Sequence, residues 1–248
     1  MFVAIARMPA QPNALSQAAH LAGMPLPDVS RALTGTLPRV LVRATEDAPR
    51  LIQALEGAGF VAFGGDPSAI PTDKERVVAR DLELSSDAII AIDGQGRRCA
   101  CPVAAVAALI RGVRRVETTE VSTSTQRKLA LGKALVTGGL SVTKKVTTTT
   151  ERTTEEKEAL LLIQRNDGQP AIVLHERRLN YRCLGAGIQP STFGNFTALL
   201  ARLRSLAQAA ALDERILRPG FLTGLPPLVD DPADLALFLV TEALARNC

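Results

Sequence analysis

The chain has 248 residues, 46% hydrophobic and 22% charged, so most of it should fold, as one large domain or two small ones. With a net charge of +4, 3% aromatics and no Trp, it lacks the concentrated charge and stacking side chains of a dedicated nucleic-acid binder, and nucleic acid is not an expected partner. There is no apolar run long enough for a transmembrane helix, and no basic region precedes the apolar start, so a cytoplasmic protein is expected.

The core must be built from Ala, Leu, Val and Ile, and the richness in Ala and Arg resembles the product of a GC-rich bacterial genome. The first segment, Phe2 to Ala6, is an apolar run and a buried strand. A helix follows, with Leu15, Ala18, Ala19 and Ala22 on one face, ended by Gly23. A second helix begins near Pro27-Asp28 and stops at Pro38. Arg39 to Arg43 is β-branched and short, hence a strand. Thr45 is the expected N-cap of a third helix whose buried face is Leu51, Ile52, Leu55 and Ala58, and Phe60 to Phe63 is the next strand.

That order is strand, helix, helix, strand, helix, strand. Together with Leu-Pro-Arg-Val-Leu-Val-Arg (37–43) and Glu-Asp-Ala-Pro-Arg-Leu-Ile-Gln-Ala-Leu-Glu-Gly-Ala-Gly-Phe (46–60), it resembles the carboxy-terminal domain of the ribosomal large-subunit stalk protein and its structural relative, the ClpS adaptor. The resemblance covers about a quarter of the chain and implies a small βααβαβ domain over 1–66. The stalk family's second helix is Lys-rich, whereas 27–37 carries only Arg31, so translation-factor binding is not carried over.

Turn-rich residues mark 67–76 as a linker. Val77 to Leu84 then alternates with one slip, Ala88 to Ile92 follows, and Asp93-Gly94-Gln95-Gly96 is a hairpin turn leading to a strand at Arg97 to Cys101. Val103 to Arg115 gives a turn and a further strand. Residues 118–157 are dominated by Thr and Ser and read as a long mobile hairpin or insertion, with a Gly-Gly turn within 135–142. Strands at 159–164 and 171–175 flank Asp167-Gly168. The stretch 192–211 is an amphipathic helix with Phe193, Phe196, Leu199, Leu200, Leu203 and Leu206 at helical spacing, and Pro232 to Arg246 is a last helix capped by Asp231. Several antiparallel strands closed by one helix resemble the plan of a PH-like barrel for 77–211, with 212–248 as a helical extension. The fold class is therefore α+β.

The chemistry-bearing motifs are sparse. His20 and His175 have no Cys, Asp or Glu partner at metal-ligand spacing, and His175 reads as a solvated strand end. Cys99, Cys101, Cys183 and Cys248 read as reduced structural thiols; as a nucleophile Cys183 would have only Tyr181 and Arg182 nearby to supply a base, and it reads instead as a buried small hydrophobe. No nucleophile elbow, zinc-protease helix or phosphate loop is present, so neither a cofactor nor a metal is expected. Arg97, Arg98, Arg111, Arg114 and Arg115 lie within nineteen residues that hold no acid, and form a candidate anion-binding face if their strands are adjacent. Thr147, Thr148, Thr149 and Thr150 are candidate phosphorylation sites, and 128–136 has the charge and apolar content to touch an anionic membrane. The favoured function is a non-catalytic adaptor or regulatory protein that binds a protein partner. The alternatives are a peripheral binder of anionic lipid headgroups and an enzyme of unknown class.

Overall fold

Strand β1 (Phe2–Arg7) buries Phe2 to Ala6 without alternation because it is the middle strand of a sheet covered on both faces. It pairs antiparallel with β2 (Arg39–Val42) on one side and β3 (Val61–Gly65) on the other. The computed structural model describes the backbone of residues 1–129 and 143–248, and side chains outside 117–155. The chain divides into two compact units, Met1–Arg114 with Glu158–Cys248, and Arg115–Lys157.

Helices α1 (Ala14–Ala22), α2 (Leu26–Ala32) and α3 (Ala48–Gly57) cover one face of this sheet, where Val3, Ile5, Leu41 and Ala62 meet Ala18, Val29 and Leu55. Gly23 ends α1 in the left-handed conformation, φ 61°, that glycine adopts without strain. Thr45 does not cap α3: its hydroxyl accepts from the Asp47 N–H at 3.2 Å, and the helix begins at Ala48.

The second sheet has seven strands in the order β10-β7-β8-β9-β4-β5-β6. They are β4 (Val77–Leu84), β5 (Ala88–Asp93), β6 (Arg98–Pro102), β7 (Val106–Leu129), β8 (Thr143–Arg165), β9 (Ile172–His175) and β10 (Ala211–Asp213). The slip in the β4 alternation is a register shift between Ala79 and Asp81. The pairs β4–β9 and β7–β10 are parallel. The expected closure into a barrel is not observed: the sheet is open, with the three-residue β10 lying beside β7 at one edge and β6 at the other.

Helix α4 (Thr192–Leu206) covers one face of this sheet, where Phe196, Leu199 and Leu203 meet Leu109, Leu161, Ile172 and Leu174. Helix α5 (Pro232–Ala245) covers the other. It is largely apolar, with Asp234, Thr241 and Glu242 as its polar side, and half of its residues are buried. Its Ala236, Leu237 and Val240 pack on Ile110, Leu160, Leu162 and Val173, while Leu235, Leu239 and Ala243 pack on Phe2, Ala4, Val40 and Phe63 of the small sheet. Residues 212–248, expected as an extension, thus supply the layer between the two sheets. The expected linker 67–76 is also built in: Ile70 is buried with Phe2 and Phe63, and Arg76 pairs with Asp234 of α5. The architecture is mixed α+β, and among the described residues no helix is long and apolar enough to cross a membrane.

Candidate functional site

The arginines close in sequence are not gathered in space. Arg97 Nε donates to Asp93 Oδ2 at 2.6 Å, and Arg98 grips both carboxylate oxygens of Glu83, at 2.7 Å for Nη1. Arg111 Nη1 donates to Glu214 at 3.1 Å, and Arg114 pairs with Asp73 at 3.0 Å and Asp231 at 3.4 Å. Arg115, the first residue of the second unit, is likewise partnered. Strands β6 and β7 are not neighbours; β5, β4, β9 and β8 come between them in the hydrogen-bonded order. Arg111 and Arg114, an odd number of residues apart on β7, leave by opposite faces. Thr147 to Thr150 lie on β8, but their side chains fall outside the described residues, as do the side chains of 128–136 and the Gly-Gly turn.

His175 is not a solvated strand end. It is 1% exposed, at the end of β9, with Nε2 2.9 Å from Asp73 Oδ2. Burial pushes the Asp73 carboxyl up, but the His175 hydrogen bond, the charges of His175 and Arg114 and the Arg114 hydrogen bond outweigh it and hold the group at about 2. An ionised carboxylate only accepts, so Nε2 carries the hydrogen. Nδ1 has no hydrogen-bond partner among the described residues and lies 4.0 Å from Glu158 Oε2, itself on a buried residue. The cluster ties β7, β8 and β9 to residues 67–76 and to the start of α5, where Asp231 also accepts from the Ala233 N–H. The imidazole itself is buried, while the Asp73 carboxylate beside it is 32% exposed. The cluster serves as a lock between layers.

Among the thiols Cys101 is buried, and Cys99, Cys183 and Cys248 are half-buried. Burial pushes the Cys101 and Cys183 thiols up, away from the thiolate that attacks or ligates. A cleft of about 660 Å³ lies between the ends of β7 and β8 and the last turn of α5, with Ala107, Ala108, Ala211 and Ala245 in its walls. The guanidinium in that wall, Arg165, is occupied by Asp167, the Ala100 carbonyl and the Cys99 sulfur.

A different feature stands out on the surface. Residues 185–193 are all exposed, yet their backbone is held. Asn195, only 9% exposed, reaches back to bracket Gln189: Oδ1 accepts from its N–H at 2.6 Å and Nδ2 donates to its carbonyl at 3.1 Å. Ser191 caps α4 by accepting from the Gly194 N–H at 3.0 Å. A side chain at Gly194 would crowd Gln189, with its Cβ 3.0 Å from that of Gln189, so the glycine lets the loop close on the helix. This fixed loop presents Ile188, 54% exposed, and Phe193, 61% exposed. Phe193 was expected on the buried stripe of α4. It lies in the first turn, which extends beyond the core; burial begins at Asn195 and Phe196. Phe2, Phe60, Phe63, Phe196 and Phe221 are buried and Phe238 is partly buried, so Phe193 is the one exposed phenylalanine of the seven.

Compared with known proteins, the chain matches no family model, no curated protein and no solved structure.

Proposed function

We propose that this chain is a non-catalytic adaptor or regulatory binding protein, acting in the cytoplasm on a protein partner through the loop 185–193. The observation that carries this reading is the pairing of two exposed large apolar side chains with a backbone that Asn195 and Ser191 hold in place. A preorganised loop loses little freedom on binding, and that is where affinity is gained. Burying Ile188 and Phe193 in a partner contributes roughly 1.5–3 kcal/mol each. The buried His175 and the raised Cys101 and Cys183 thiols favour a binding role over a catalytic one.

The PH-like plan for 77–211 belongs to the same proposal. Its support is one helix, α4, packed on one face of a sheet curled enough for Arg165 of β8 to donate to the Ala100 carbonyl of β6 across three intervening strands.

Crosslinked capture from the native cell tests the function, with wild type beside Phe193→Ala/Ile188→Ser. A specific protein captured by wild type and lost in the double variant is the expected result. Equal capture by both, with melting temperatures matched, removes the loop from the function.

A further inference from the structure

We infer that the flank of this loop reads acidic side chains, so that the partner segment is an acidic peptide stretch carrying an apolar residue. The inference rests on the adaptor reading and names the chemistry of its partner. It comes from a contrast between two sets of arginines. Arg97, Arg98, Arg111 and Arg114 are each neutralised by a carboxylate. Arg80, Arg178, Arg182 and Arg202 are exposed, and among the described residues none pairs with a carboxylate.

These four are drawn to one short stretch, 178–183, that leads directly into the loop. Arg202, on α4, donates through Nη1 to the Cys183 carbonyl at 2.6 Å. Arg80, on β4, points its Nη1 at the Arg178 carbonyl, 3.5 Å away, while its own carbonyl accepts from the Asn180 N–H at 2.7 Å. Arg182 opens the 3-10 segment Arg182–Gly187 that ends next to Ile188. Asp81, whose charge raises the Cys183 thiol while that of Arg202 lowers it, accepts from the Leu82 N–H and makes no ion pair among the described residues.

A guanidinium carries five N–H donors in a fixed fork, so those of Arg80 and Arg202 keep capacity for a carboxylate after bonding to the backbone. Clusters of this kind recognise acidic motifs. The neighbouring Ile188 and Phe193 supply the apolar contact that charge alone does not. An anionic membrane offers the same sign of charge, but its headgroups move laterally. Guanidiniums steered by backbone carbonyls and a bracketed loop suit carboxylates at set positions along a chain.

The test is fluorescence anisotropy with a labelled peptide of about eight residues, Asp and Glu around a central Leu-Phe, and its counterpart with Lys in place of every acid. Proteins are wild type, Arg178→Glu/Arg182→Glu and Phe193→Ala, each confirmed folded by circular dichroism. Vesicles of phosphatidylcholine with and without phosphatidylserine are run alongside. The expected result is binding of the acidic peptide alone, weakened about tenfold or more by the charge reversal and by Phe193→Ala. It should also weaken as salt rises from about 0.01 M to about 0.15 M, which shortens the screening length from about 30 Å to about 8 Å. No binding of the acidic peptide, equal binding by the charge-reversed protein, or arginine-dependent binding to the phosphatidylserine vesicles instead of the peptide overturns the inference. If cellular capture through Phe193 persists when the peptide fails, the acidic partner is wrong and the adaptor reading stands; if capture fails as well, both fall.

Discussion

Asp73 shows how one carboxylate can hold several layers together. It accepts from Arg114 on β7 and from His175 on β9, and its carboxyl sits at about 2 because those two partners outweigh its burial. The unfolded value is near 3.9, so the folded value is depressed. Stability from Asp73 is therefore fully present above about pH 4 and is lost as pH falls toward about 2. Asp234 works in the opposite sense: burial raises its carboxyl against the pull of Arg76, so its contribution is present below the unfolded value and lost as pH rises through the folded one. Asp73→Asn should flatten the acid limb of a thermal-stability profile between about pH 4 and about pH 2. An acid limb as steep as that of wild type would show that the carboxylate is not the group being protonated.

At the scale of elements, α5 and β3 meet where there is no room for a side chain. A Cβ on Gly65 would lie 2.5 Å from the Phe2 ring and 3.0 Å from the Phe238 ring, which itself stands edge-on to Phe2 at 6.1 Å. Gly65→Ala should cost about 1–3 kcal/mol by overpacking. Gly57, the last residue of α3, has nothing within 4 Å of an added Cβ, and Gly57→Ala should be neutral or stabilising by up to about 1 kcal/mol. Urea denaturation of the two variants checks the contrast; equal midpoints would mean that the Phe2–Phe238 packing yields freely.

Much of this architecture is legible in the chain because it is local. The run Phe2 to Ala6, the turn at Asp93 to Gly96, the stripe at Phe196, Leu199 and Leu203, and the Asp231 cap all announce themselves by period or by turn chemistry. What stays hidden is decided by distant partners. A largely apolar helix says that it is buried but not between which layers, so α5 reads as a tail. His175 follows an apolar strand and precedes Glu-Arg-Arg, and nothing nearby signals Asp73, which lies 102 residues away. The five arginines between 97 and 115 are close along the chain and separated by the strand order, while Arg80 and Arg202 are far apart in sequence and converge on 178–183. Phe193 sits in register with its helix, and only the position of the first turn relative to the core reveals its exposure.

Across the first unit, the layers run from α1–α3 through the small sheet, α5 and the seven-stranded sheet to α4. Polar locks between those layers take up His175, Arg76 and Arg114, and the held loop at the start of α4 is the exposed surface we propose for a partner. The most direct measurement places a photo-crosslinking residue at position 193 in the native cell, with a control at the exposed Lys74 and a third protein carrying Asn195→Ala behind the 193 probe. The expected result is a discrete protein adduct from 193, absent from 74 and diminished when the Asn195 bracket is removed. No adduct from 193, or the same adducts from 74, would contradict a binding role for the loop.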